Sequence, residues 1–292
     1  MAKPALRVVI DTNVFMPANF DALAASPFKR LCNSGRIEPI YGHVFLEETF
    51  KAYGSEKKRD DLVNKWIPMI TSTAGSFRND FQAIWHEELV QGRGLKTNPK
   101  MPPRAHRSLL ASLPNIPLDG SWHAYKVSRD AQAVEDEKRA AQRALSLEIR
   151  QEVADWRSSI RYNASKHGKP DWQAHKAKEM DFAGRAFIDA QVKCANPKAV
   201  ADRWSRSKAD YPFFTTFVIN MLYIGFCAAT RPSMKMDLNA QADLDLMTHL
   251  LHADAIVSNE EGFLKTAFDE LWRPKGKALF NSAQFVELLE KL

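Results

Sequence analysis

Residues 5–13 read ALRVVIDTN, a continuous apolar and β-branched run that ends abruptly on Asp11-Thr12-Asn13. An uninterrupted run of this kind predicts a strand buried on both faces, as in a parallel sheet, rather than a half-exposed strand with alternating polar positions. The carboxylate at its end has two readings. It caps the next helix, or it stands at the carboxyl end of a parallel strand, where ligands of open α/β sheets bind. The choice turns on whether other acids converge on the same place.

Working outward, FDALAASPFKRLCNSG (20–35) predicts a helix stopped by Gly35, IEPIYG (37–42) a second strand, and HVFLEETFKAYG (43–54) a helix ending at Gly54. Strand and helix alternate, the signature of an α/β unit. The last eighty or so residues repeat the pattern. ADLDLMTHLLH (242–252) is helical, ADAIVSN (253–259) a buried strand, and EGFLKTAFDELW (261–272) a helix. KALF (277–280) is a short strand, and SAQFVELLEKL (282–292) a closing helix with Ser282 as its cap. Two α/β portions at opposite ends of a chain can share one sheet. The expected organisation is therefore a core of residues 1–88 and 210–292 interrupted by a mainly helical insertion, 89–209.

That insertion differs in charge. Residues 93–208 hold 23 Lys and Arg against 13 Asp and Glu, whereas the rest of the chain holds 18 against 22. Within it, residues 89–118 contain five basic residues, five prolines and no acid, which predicts a basic loop or lightly structured arm. Leu145, Ile149, Val153, Trp156 and Ile160 then recur at helical spacing, closed by Gly168 and Pro170. A further helix over 171–195 and a very apolar one over 211–229 are expected to return the chain to the core.

Composition narrows the function. With 292 residues, 45% hydrophobic and 26% charged, the chain is an ordinary globular one of one large domain or two modest ones. No window approaches about 18 uninterrupted apolar residues, and the start MAKPALRVV lacks a signal-peptide core, so a cytoplasmic protein without a membrane partner is expected. Cys32, Cys194 and Cys227 are too scattered for a disulfide framework or a thiolate zinc site. The eight histidines form no HExxH pattern and no GxxxxGK[ST] loop is present. Any metal is then held by oxygen. The net charge of +6 suits an anionic partner.

Acids do recur near predicted strand ends. Asp11 follows the first strand, Glu47 and Glu48 open the helix after the second, Asp243 opens the helix before ADAIVSN, and Glu260 follows that strand. Unpaired carboxylates about 4 Å apart repel by about 4 kcal/mol at an effective dielectric of ~20. A hard cation such as Mg²⁺ or Mn²⁺ relieves that repulsion and can activate water. Each acid also has an ordinary reading: Glu47 and Glu48 as dipole-favoured first-turn acids, Asp243 as a cap with Asp245 its register competitor, and Glu260 and Glu261 as surface acids. Asp254, at the start of its strand, reads as structural.

In order and spacing, VVIDTN, HVFLEETF, DLDLMTHLLHAD, AIVSNEEGF and ALFNSAQFVELL resemble the PIN-domain nucleases over roughly residues 5–85 and 210–292. The resemblance implies a Rossmann-like three-layer α/β fold with a central parallel sheet. It also implies a metal site of Asp11, Glu48, Asp243 and Glu260 for Mg²⁺ or Mn²⁺, with Asn13 orienting Asp11 and Ser258 supplying a hydroxyl beside a phosphate or an acid. Glu260 stands where the family has Asp, and Gly262 where many members carry another acid. The implied activity is endoribonuclease cleavage of single-stranded or structured RNA by metal-activated water, with a protein inhibitor or antitoxin, or a second copy of the chain, among the partners. Arg93, Lys96, Lys100, Arg104 and Arg107 are expected to hold the RNA backbone. A tryptophan at 122, 156, 172 or 204 either stacks on bases or fills the core. Two rivals stay open: a catalytically weak or inactive RNA-binding scaffold of the same fold, and a structure-selective DNA nuclease.

Overall fold

The structure is a computed structural model that describes residues 4–51, 56–79, 81–115, 170–231 and 238–292, together with the isolated positions 151, 154, 155, 158 and 234. The apolar stripe from Leu145 to Ile160 lies outside this description. So do the basic residues Arg157, Arg161, Lys166, His167 and Lys169, and Trp122 and Trp156.

In chain order the elements are β1 (Leu6–Ile10), α1 (Pro17–Ala25), α2 (Phe28–Asn33), β2 (Ile37–Tyr41), α3 (His43–Lys51), α4 (Glu56–Asp61), α5 (Ile67–Thr73) and β3 (Ser76–Phe77). Then follow α6 (Phe81–Leu89), α7 (Pro103–Ser112), α8 (Trp172–Gln191), α9 (Pro197–Arg206), α10 (Pro212–Thr230) and α11 (Leu238–Thr248). The chain closes with β4 (Ala255–Val257), α12 (Phe263–Leu271), β5 (Ala278–Phe280) and α13 (Ser282–Lys291).

The strands form one parallel sheet in the order β3-β2-β1-β4-β5. The central β1 has neighbours on both sides, and its Val8, Val9 and Ile10 are fully buried, as its unbroken apolar run demands. From β1 the chain builds outward on one side to β2 and β3, and later on the other side to β4 and β5. The reversal of direction between β1 and β4 is a topological switch point, the place where open parallel sheets leave a crevice beyond their carboxyl ends.

Two compact units divide the chain: residues 1–84, 96–118 and 242–292, and residues 85–95 and 119–241. The first contains the sheet. Its core joins Val8, Ile10 and Val257 to Phe15, Phe45, Tyr41, Phe77 and Phe285, with Phe28 edge-on to Phe285 at 6.0 Å. Segment 96–118 belongs here rather than to an insertion starting at 89, because Leu113 is fully buried in this core and Leu109 and Leu110 pack against it. Nor is it a plain basic arm: Lys100 bridges to Arg78, and α7 starts with Pro103 at its first position, where a missing N–H costs nothing.

The second unit is helical and aromatic. Trp85, Phe187, Phe214 and Phe217 pack ring to ring, and Trp172 meets Tyr223 edge-on at 5.0 Å. Trp172 and Trp204 are thus core residues. The apolar α10 belongs to this unit instead of returning to the sheet, since α8 and α9 supply its partners. By length and composition α10 alone is long and apolar enough to cross a bilayer among the described residues, and half of its apolar window is buried.

Local boundaries differ from expectation for identifiable reasons. The single helix expected over 20–35 is two, because Pro27 forces Ser26 into an extended conformation. Asn281, not Ser282, caps α13, exchanging hydrogen bonds with Gln284 in a capping box. Helix α3 begins at His43, so Glu48 lies in its second turn rather than at its start. Helix α11 begins at Leu238, so Asp243 sits inside it and does not open it. Gly262 caps α12, leaving Glu260 and Glu261 before the helix.

Candidate metal centre at the switch point

Asp11 leaves β1 directly at the switch point. Its backbone N–H continues the ladder to Val257 O at 3.1 Å, and the register Ile10↔Val257 sets Asp11 beside Ser258 on the neighbouring strand. Ser258 Oγ donates to Asp11 Oδ2 at 2.5 Å. The same Oδ2 accepts from Asn13 Nδ2 at 2.7 Å. Asn13 Nδ2 also donates to Ser258 Oγ at 3.1 Å, and the Glu260 backbone N–H donates to that oxygen at 3.1 Å. Ser258 therefore donates once and accepts twice. It is buried, as is Asp11.

Both readings of Asp11 hold together. It is the N-cap of the 3₁₀ turn Thr12–Phe15, although its bond to the Asn13 N–H is long at 3.5 Å. Capping uses Oδ1 weakly and leaves that oxygen open to a stronger partner. Thr12 Oγ1 lies 3.3 Å from Asp11 Oδ1 and 2.8 Å from Glu48 Oε2, so one hydroxyl joins the two acids. Glu48 is half-buried and is delivered by α3 from beyond the end of β2.

Burial pushes the Asp11 carboxyl above its ordinary value. The Ser258 and Thr12 hydroxyls and the Asn13 amide oppose this by stabilising the anion, while the charge of Glu48 adds to the rise. Glu48 is thus a like-charge neighbour of a buried carboxylate that hydroxyl and amide donors partly compensate.

Two residues outside the expected set complete the support. The Asn259 backbone N–H donates to Asn13 Oδ1 at 3.0 Å. The Asn259 side chain pairs with Ser282, giving from Nδ2 to Oγ at 2.6 Å and accepting at Oδ1 from the backbone N–H at 2.9 Å. The loop after β4 is thereby tied to the start of α13. Thr12 and Asn259 both lie inside the motifs DTN and VSNEE, but nothing in their identity marks which hydrogen bonds they make.

Of the expected site residues, Asp11, Asn13, Glu48 and Ser258 share one hydrogen-bonded network. Glu260 joins it through its backbone. Asp243 is half-buried on α11, one turn before the fully buried Met247. Among the described residues no group of three or more His, Cys, Asp or Glu side chains is placed to hold a metal ion. The donor chemistry fits a single hard cation held by the Asp11–Glu48 pair with water filling the remaining positions, the usual manner of Mg²⁺. Asp254 is structural: its carboxylate accepts from the Arg7 backbone N–H at 2.8 Å and pairs with the Arg7 guanidinium at 3.4 Å.

The basic residues are distributed unevenly. In the first unit, Arg104 and Arg107 are exposed on α7 and Lys96 is exposed before it. Lys100 is held by Glu38 at 3.0 Å, which also faces the buried Arg78 at 3.7 Å. In the second unit, Arg93 pairs with Glu87 at 2.9 Å. Exposed pairs of this kind are weak, and a phosphate can compete for them.

No family model, no curated protein and no solved structure matches the chain.

Proposed function

We propose that the protein is a PIN-like, Mg²⁺- or Mn²⁺-dependent endoribonuclease. The observation that carries this reading is the meeting of Asp11, Ser258 and, through Thr12, Glu48 at the switch point of a parallel sheet. Further support comes from the strand order, the succession of motifs resembling the PIN nucleases, and the basic surface of Lys96, Arg104 and Arg107.

Asp11 and Glu48 would hold the cation, which when bound supplies a Lewis acid and a water of lowered pKa for attack on phosphorus. The chain's own groups do the rest. Ser258 and Asn13 fix the Asp11 carboxylate through Oδ2, and the Asn259–Ser282 pair fixes the loop that carries Ser258. Cations of α7 and its approach attract the polyanion without reading its bases.

Digestion of end-labelled RNA and DNA with Mn²⁺, Mg²⁺ or EDTA tests this. RNA cleavage dependent on the metal and suppressed by EDTA is expected. Cleavage undiminished in EDTA removes the metal mechanism, and preference for DNA reassigns the substrate. The hydrogen bonds that Ser258, Asn13 and Thr12 give Asp11 also suit a structural carboxylate, which favours a second reading, a non-catalytic RNA-binding protein, for which RNA is retained uncut in every metal.

A further inference from the structure

The two oxygens of Asp11 are committed very differently. Oδ2 accepts from Ser258 at 2.5 Å and from Asn13 at 2.7 Å. Oδ1 has only the long Asn13 amide contact at 3.5 Å and the Thr12 hydroxyl at 3.3 Å. The hydroxyl carries a single proton, and its shorter contact, at 2.8 Å, is to Glu48 Oε2. Thr12 therefore touches the least satisfied oxygen of one acid and donates to an oxygen of the other. Its one proton lies closer to Glu48 and is shared at longer range with Asp11 Oδ1, so the hydroxyl sits between the two acids as a weak bifurcated donor where a cation would bind both.

We infer that the Thr12 hydroxyl is a displaceable stand-in for the cation, bridging Asp11 and Glu48 in the ion-free protein and giving up both contacts when a divalent ion enters. This rests on the metal-dependent reading above. Thr12 is then a positioning residue that sets the threshold for metal uptake: its hydrogen bond lowers the repulsion that would otherwise drive the pair to capture an ion. Neither the Asn13 side chain nor Ser258 has this role, since both act on Oδ2.

The test is Mn²⁺ binding to the full chain without nucleic acid, followed by the electron paramagnetic resonance signal of free Mn²⁺ and by calorimetry. Thr12→Val keeps the branched shape and removes the donor; Thr12→Ser keeps the donor. Thr12→Val is expected to bind Mn²⁺ about tenfold more tightly than the parent, the equivalent of one charge-assisted hydrogen bond no longer broken on binding. Thr12→Ser is expected to match the parent. Thermal melts establish folding, and should the valine variant misfold, Thr12→Ala replaces it with the same expectation. Unchanged affinity in the donor-free variant overturns the inference, and weaker affinity does so by making the hydroxyl a ligand. Both of these leave the metal-dependent reading standing, whereas a parent protein that binds no Mn²⁺ removes the two together.

Discussion

Ser258 Oγ donates to Asp11 Oδ2 at 2.5 Å across 247 residues of chain, and the bond spans the junction of β1 and β4 where the sheet reverses its direction of growth. Ser258→Ala leaves the Asn13 amide, the Glu260 N–H and Asp11 Oδ2 each short of a partner in a buried place. A loss of about 2 kcal/mol is expected from these unmet groups. Urea unfolding should show a lower midpoint with an unaltered slope.

Asp11→Asn preserves the size of the side chain and removes its charge. Cleavage and Mn²⁺ binding should fall by more than the roughly 100-fold that loss of an outer-shell partner costs a metal site. RNA retention in EDTA, measured by filter binding, should equal or exceed that of the parent, because a repulsive charge has been removed. Unchanged cleavage would show that Asp11 only caps the turn after β1.

Gly184 lies in α8 against the ring of Trp204, and a Cβ there would overlap the ring. Trp204 is fully buried and its Nε1 donates to Thr215 Oγ1 at 3.0 Å, so it has little room to yield. Gly184→Ala should destabilise by about 1–3 kcal/mol through overpacking, outweighing a helix-propensity gain of about 1 kcal/mol. Adding Trp204→Phe should recover part of that loss in thermal melts.

Glu88, fully buried on α6, accepts from the backbone N–H groups of Phe213 and Phe214 at 3.0 and 2.7 Å, capping α10 from another helix. Burial pushes its carboxyl up to about 7 from 4.5, against the lowering effect of the two amides. Between those values the folded protein holds a proton that the unfolded chain has released, so stability falls as pH rises through this window, by up to about 1.4 kcal/mol per pH unit. Glu88→Gln cannot ionise. Unfolding curves from pH 4.5 to 7 should show the parent losing stability relative to the variant as the pH rises.

His249 acts in the opposite sense. Burial, with the nearby charge of Arg78 and the imidazole of His252, pushes its imidazole down to about 3 from 6.5. The unfolded chain then binds more protons between those values, so this residue's contribution is complete above 6.5 and lost as pH falls towards about 3. The Glu88 comparison isolates one of two opposing slopes.

Much of the sheet is legible along the chain. The run through Ile10 and the apolar AIV before Ser258 announce β1 and β4, because a strand buried on both faces has no place for a polar residue. β3 is not legible, since two residues carry no period. The start of α11 is not legible, because an acid such as Asp243 is a common cap, whereas the helix runs from Leu238 through Asp243. Glu88 is one of two adjacent acids in HEEL, and no local feature shows that it caps a helix more than a hundred residues away.

The chain by itself determined that Asp11 ends a buried strand and that acids recur near later strands and helices. These follow from side-chain chemistry and period, which are local. Tertiary structure alone decided that Ser258 stands beside Asp11 and that Thr12 joins Asp11 to Glu48. Strand register and helix packing set those distances to within a hydrogen bond, and they depend on contacts between residues 36 positions apart for Thr12 and Glu48 and 247 apart for Asp11 and Ser258.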